Sequence, residues 1–268
     1  MTGSAAGRAV GPLLALPGHL RRRLAGALDA GLLVAPYSAA AVRSAVGSHD
    51  GAGAVADALE AWRRLGVSGI AAAEWLRSLD DIAASVPVPD FVWSGPEVPG
   101  LHARDTRRVF EELIGSATRS IWVSSFAYFN GPRAFETLAR RMDTVPGLRV
   151  RLLLNVERRR GDTTAADQLV RRFADSFWNA DWPGTARPAV YYDPRALDAD
   201  GPSGVLHAKA VVSDEHAVFV TSANLTEAAF ERNIETGLLL RDRTLAATVV
   251  GHFRGLIDRG LLRPLPAA

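Results

Sequence analysis

Val205-Leu206-His207-Ala208-Lys209-Ala210-Val211-Val212-Ser213-Asp214, then Glu215-His216-Ala217-Val218-Phe219-Val220-Thr221-Ser222-Ala223-Asn224, is a pair of apolar runs into which a few polar side chains are set. The runs predict a strand from Val205 to Ser213 and another from Ala217 to Ser222, joined by a short turn. Residues two apart on a strand share a face, so His207 and Lys209 are expected to project together. Lys209 is the one lysine among 31 basic residues in a chain of 268; the other 30 are arginines. A composition that uses arginine almost everywhere keeps a compact, flexible ammonium beside a histidine, and arginine's rigid fork does not substitute for that. A third run, Ile234 to Arg241, carries Glu235 inside a leucine-rich strand.

Taken singly, these residues say little. A lone histidine in a strand is usually a satisfied core or surface residue. Asn224 alone reads as a turn residue or as a cap for the helix opening at Thr226. Glu235 alone reads as an edge charge that would need a partner if buried.

Outward from this segment, helix and strand alternate. Asp105 to Gly115, Pro132 to Met142, Thr163 to Phe177 and Thr244 to Arg259 read as helices. Ser120 to Tyr128, Leu148 to Asn155 and Ala189 to Asp193 read as strands. Repeated strand-helix-strand units predict an α/β fold, a mixed sheet flanked by helices. Upstream, residues 1–86 are rich in Ala, Leu, Gly and Arg and predict a small all-helical domain, with helices over 19–30, 38–46, 53–65 and 68–79. Basic and acidic residues nearly balance there, which favours packing or partner binding over DNA readout. Residues 87–102 are proline-rich and predict a linker, which leaves 103–268 as the α/β domain.

Bulk properties narrow the class further. Net charge is +2 with a pI near 9.4, so any polyanion must be met by a local basic surface. Cysteine is absent, which excludes disulfides, thiolate metal sites and cysteine nucleophiles. The N-terminal apolar run over 9–18 is proline-broken and too short to span a bilayer, and Arg21-Arg22-Arg23 follow it. It reads as the entry to a helix in a cytoplasmic protein. No carboxylate cluster suited to magnesium is evident; His207, Asp214 and His216 form the one conceivable metal trio, and the expectation is no metal and no cofactor.

The spacing of His207, Lys209, Asp214, Ser222 and Asn224 resembles the signature of the phospholipase D superfamily: His-x-Lys, four residues, Asp, six residues, Gly-Ser-x-Asn. Thr221 stands where the pattern usually has glycine. The resemblance implies metal-independent phosphodiester hydrolysis. His207 would attack phosphorus to give a phosphohistidine, and Lys209 and the Asn224 amide would hold the non-bridging oxygens. Ser222 would support the phosphate pocket. Glu235 is placed to hydrogen-bond the histidine, as a later acidic residue does in the superfamily's nucleases. Asp214, across the pleat from Lys209, fits a structural role better than a catalytic one.

The superfamily's site uses two histidines from two such motifs, and this chain has one His-x-Lys. The resemblance therefore implies a homodimer with a shared active site. Single-motif dimeric members are mostly nucleases, so nucleic acid, DNA before RNA, is the expected substrate; lipid is the alternative, as phospholipase or phosphatidyl transferase. A non-catalytic nucleic-acid-binding subunit is the other alternative. Arg158, Arg159 and Arg160 follow a strand's carboxyl end and suit a phosphate channel, or a solvated charge run. Tyr128 and Asn130, at the end of another strand, suit contact with a base or sugar, or core and turn roles. No basic amphipathic helix points to a membrane. The layout is similar to the phospholipase D-like component of the DISARM anti-phage system, which would imply helicase and methyltransferase partners.

Overall fold

The computed structural model describes residues 5–47, 49–198 and 204–267, which fall into two compact units, Met1–Pro87 and Val88–Ala268. The first is helical: α1 (Ala5–Ala15), α2 (Gly18–Asp29), α3 (Ala39–Val46), α4 (Ala52–Arg64) and α5 (Gly69–Ser85). Leu24, Leu28, Leu59, Trp62 and Leu76 recur at helical spacing, and all are buried in one core. The proline-broken apolar run belongs to this core, with Leu13 and Leu16 buried. Arg21 is buried beside them: it donates to the carbonyls of Leu14 at 2.7 Å and Leu16 at 2.6 Å, and to Asp80 at 3.0 Å. One guanidinium so satisfies the open end of α1 and ties it to α5. Among the described residues, no helix is long and apolar enough to cross a membrane.

The second unit is a nine-stranded mixed sheet with helices on it. In chain order its strands are β1 (Asp90–Ser94), β2 (Arg104–Asp105), β3 (Ser120–Ser125), β4 (Arg149–Leu154), β5 (Ala189–Tyr192), β6 (Ala210–Ser213), β7 (Ala217–Thr221), β8 (Glu235–Leu240) and β9 (Arg263–Pro264). The helices are α6 (Thr106–Ser116), α7 (Gly131–Thr144), α8 (Ala166–Ser176), the single-turn α9 (Glu227–Glu231) and α10 (Arg243–Asp258). The spatial order is β2-β1-β8-β7-β6-β3-β4-β5-β9. β3, β4 and β5 are parallel neighbours, whereas β6, β7 and β8 run antiparallel from β3 outward.

On one face Val123, Leu152, Phe219 and Leu239 pack with Phe110, Phe135 and Phe177; on the other Trp122, Val212 and Val218 pack with Val250 of α10. β8 passes close over Phe219: a Cβ on Gly237 would lie 2.7 Å from the Phe219 ring, so only glycine fits there.

Several boundaries differ from the sequence reading: α5 runs on to Ser85, β3 stops at Ser125, and two further differences bear on the site. The proline-rich stretch contributes β1, which pairs with β8 from Asp90↔Leu239 to Ser94↔Glu235. Its prolines flank the strand, while Val92 supplies a buried apolar side chain. The strand expected from Val205 begins only at Ala210; residues 204–209 are irregular.

Candidate active site

The topology decides where the polar residues meet. His207 and Lys209 precede β6, Ser222 and Asn224 follow β7, and Glu235 opens β8. Because β6 is antiparallel to β3, with Ala210 opposite Ser124, the start of β6 lies at the carboxyl end of β3. All five residues therefore collect at one end of the central strands, beside the point where parallel pairing gives way to antiparallel.

Neighbouring strand ends hold the irregular His-x-Lys segment in place of ladder bonds. Asn155, just past β4, accepts the Leu206 amide at 3.3 Å. Ser124 donates to the Ala208 carbonyl at 2.9 Å, and the Thr221 amide donates to the Lys209 carbonyl at 3.2 Å. His207 is exposed, and Lys209 is 9% exposed. The ammonium donates to the His207 carbonyl at 2.9 Å and lies 3.2 Å from Nδ1 and 3.4 Å from Nε2 of the same ring. Phe126 backs both groups: its ring centre is 4.8 Å from the imidazole and 5.6 Å from the Lys209 nitrogen. Burial lowers the Lys209 pKa from its ordinary value, and the charge of Glu235 opposes that.

Asn224 reaches the same place from β7. Its Oδ1 accepts the Ala127 amide at 3.3 Å, which leaves the NH2 as its remaining donor pair. Leu225 bonds back to the Ala127 carbonyl and to the Ser125 hydroxyl, both at 3.2 Å. The turn after β7 is so fastened to the loop after β3. Thr221, at the usual glycine position, accepts the Ala223 amide at 3.0 Å and donates to the Thr236 carbonyl at 3.2 Å. Its hydroxyl shapes the turn.

Glu235 is placed differently from the sequence reading. Its carboxylate accepts from the Ser222 hydroxyl and, at 3.1 Å, from Asn233; among the described residues His207 is not one of its hydrogen-bond partners. Ser222 also accepts the Thr236 amide at 3.1 Å, so its proton is committed to Glu235. The two residues form a braced anion within the electrostatic reach of Lys209.

Asp214 lies at the opposite end of β6. It and Glu215 adopt left-handed backbone, both with φ of 52°, in a tight turn closed from His216 to Ser213. The Asp214 carboxylate accepts from the amides of Thr118, Arg119 and Ser120 and from the Thr118 hydroxyl, at 2.8–3.0 Å. Burial acts to raise its pKa, and these donors outweigh that, leaving it lowered. Asp214 anchors the hairpin to the start of β3.

Of the basic run, Arg158 is spent internally: it donates to the carbonyls of Leu197, Asp162 and Thr164 at 2.6–2.9 Å. Arg159 and Arg160 are exposed. Tyr128 donates to Asp181 at 2.9 Å and packs against Phe135, Phe173 and Phe177; burial and that carboxylate push its pKa far up. It is an anchor for the loop. Asn130 caps α7 in left-handed backbone with φ of 54° and is exposed. Among the described residues no three His, Asp or Glu side chains converge as a metal cage, so His207, Asp214 and His216 do not form one.

Phe126, Asn155 and Asn233 were not singled out by the sequence reading. The one signal available was two serines, Ser124 and Ser125, at the end of a strand that is buried throughout. Buried hydroxyls need partners, and these two fasten the site's loops.

A family model described as cardiolipin synthase, PLD-like domain, matches residues 110–257, more than half of the chain. The chain belongs to the phospholipase D-like family. Similar solved structures include Nuc of Salmonella typhimurium, a phospholipase D family member, at 20% identity, covering 68% of this chain and 99% of that one, with a TM-score of 0.44. NucT from Helicobacter pylori shows 17% identity, covers 63% and 97% respectively, and has a TM-score of 0.41. Phosphatidylserine synthase of Haemophilus influenzae Rd KW20 shows 17% identity, covers 78% of this chain and 54% of that one, and has a TM-score of 0.45. No curated protein matches the chain. The matched residues include β3 to β8 and so the strand ends that carry His207, Lys209, Ser222, Asn224 and Glu235.

Proposed function

We propose that the protein is a nuclease that cleaves phosphodiesters through a phosphohistidine on His207, in a site shared by two copies of the chain. The observation that carries this is the buried Lys209 ammonium held against the ring of an exposed histidine. A cation at that position neutralises phosphoryl oxygens as negative charge develops, and the Asn224 NH2 adds a neutral donor.

In the reading, a His207 ring nitrogen donates its lone pair to phosphorus and the bond to the leaving oxygen breaks. The leaving oxygen takes a proton from the partner subunit's His207. That histidine then removes a proton from water, which attacks phosphorus and releases His207. Glu235, braced by Ser222 and Asn233, opposes the burial that lowers the Lys209 pKa.

Lipid remains the second reading, since the same chemistry serves a phosphatidyl group and the matched family model is described by a lipid enzyme. Membership of an anti-phage system rests on layout alone: a helical unit, a proline-rich stretch and one motif. The deciding experiment incubates the protein with labelled oligonucleotide, and separately with phosphatidylglycerol vesicles, with and without EDTA. Cleavage of the oligonucleotide that survives EDTA and vanishes in His207→Ala supports the reading. Turnover of the vesicles alone, or loss of activity in EDTA, overturns it.

A further inference from the structure

A shallow cleft, open to solvent, lies beside the candidate site, between α6, α7 and α9. Both its near walls belong to loops that also build the site. Leu225, next to Asn224, forms one; Phe129, two residues past the Ala127 amide that Asn224 holds, forms the other. Phe129 is 72% exposed, although the two rings just before it in the loop, Phe126 and Tyr128, are half-buried. Phe110 and Phe230 contribute apolar surface, and the Arg107 guanidinium extends the latter by stacking on it at 5.2 Å.

The charges around the cleft alternate. Arg107 pairs with Glu231 and Arg133 with Glu227, both at 2.8 Å, and Glu111 also lines it. Two carboxylates lining the cleft disfavour a track for backbone phosphates, and four charged side chains disfavour an acyl chain. A flat heteroaromatic ring with donors and acceptors on its edge suits both features. It stacks on Phe129, and its edge meets guanidinium donors and carboxylate acceptors. Exposed ion pairs of this kind are weak enough to exchange partners.

We propose that this cleft is a stacking subsite for the nucleobase next to the scissile phosphate, with Phe129 as the platform. The proposal rests on the nuclease reading and names its substrate as a single strand with an unpaired base at that position. Binding of a fluorescein-labelled single-stranded oligonucleotide is measured by anisotropy for wild type, Phe129→Ala and Phe129→Trp. The same series is run with an oligonucleotide abasic at that position. Phe129→Ala is expected to weaken binding of the intact strand about 10- to 100-fold, and Phe129→Trp to retain it. On the abasic strand the three proteins should converge.

Equal weakening on both strands, no weakening on either, or failure of Phe129→Trp to bind, overturns the proposal, as does Phe129-dependent binding to phosphatidylglycerol vesicles in place of oligonucleotide. Phe129 is exposed, so unchanged melting temperatures are expected to accompany the series. Trapping of a phosphohistidine on wild type with bis(p-nitrophenyl) phosphate tests the underlying reading separately. If it forms and the strands show no convergence, the subsite alone is wrong.

Discussion

The Lys209 ammonium lies within 3.4 Å of both ring nitrogens of His207 and is bonded to that residue's own carbonyl at 2.9 Å. Burying a cation is costly unless its surroundings compensate. Here the carbonyl, the Phe126 ring and the field of Glu235 offset part of that cost. A lysine can fold back over two residues in this way because its stem is flexible and its head compact. A guanidinium needs a planar array of acceptors that this pocket does not offer.

Lys209→Arg should therefore lower kcat on bis(p-nitrophenyl) phosphate about 10²- to 10³-fold, as expected for a misplaced charge at developing oxyanions. His207→Ala should reduce turnover to background. Wild-type turnover in Lys209→Arg would sink the clamp.

The pH dependence has a definite sign. Burial lowers the Lys209 pKa, so the proton leaves at a pH below the ordinary lysine range. Since the charged form acts on the phosphate, kcat should fall on the alkaline side before an exposed lysine would titrate. Glu235→Gln removes the opposing charge and should move that limb to lower pH. The same shift bears on stability: burying the charged lysine is a cost at neutral pH that is relieved as pH rises through the lowered pKa. An alkaline limb at the same pH in Glu235→Gln would show that another group sets it.

Asp214 governs stability. Each of its two carboxylate oxygens takes two donors. A carboxamide in place of the acid sets an NH2 against two of them, so Asp214→Asn should cost about 2–4 kcal/mol by urea unfolding at neutral pH. Because the carboxylate's pKa is lowered in the folded state, its contribution is full above the ordinary aspartate range and is lost as pH falls through the lowered value. Wild type and variant should converge in acid. A constant difference at all pH values would assign the effect to shape instead of charge.

The contrast between Asp214 and Glu235 shows what was legible. Motif spacing located Asp214, a charge inside a leucine-rich run marked Glu235, and the alternation of strand and helix gave the fold class. Partners were harder to read. Glu235 was expected at His207 and instead holds Ser222 and Asn233, because the segment before β6 leaves the ladder and turns the histidine outward. That departure depends on Asn155 and Ser124, which are distant in sequence and capture the segment's backbone. Arg158 reads like Arg159 and Arg160 in the chain, yet three carbonyls from a folded loop claim it. β1 was hidden by the prolines around it, whose effect is local, whereas its pairing with β8 is not.

Phe126 shows the same limit. It contacts both His207 and Lys209, and no charge or spacing marks it. Phe126→Leu keeps the apolar volume and removes the flat ring that orients the imidazole. It should lower kcat about 10-fold with KM nearly unchanged, and Phe126→Tyr should restore it. A rise in KM at constant kcat would place Phe126 in substrate binding.

The last prediction concerns the second histidine. Each chain supplies one His-x-Lys, and the proposed cycle needs two, one on phosphorus and one on the leaving oxygen. If both come from paired copies, a mixed pair of wild type and His207→Ala has only one and cannot complete the cycle. Equal amounts unfolded together and refolded should then retain about a quarter of the activity of the same total of wild type, the share of pairs that are wild type on both sides. A self-sufficient chain would retain about half under the same statistics. Sedimentation of the refolded mixture checks that pairs have formed, so that retention of half in a fully dimeric sample rules out the shared site.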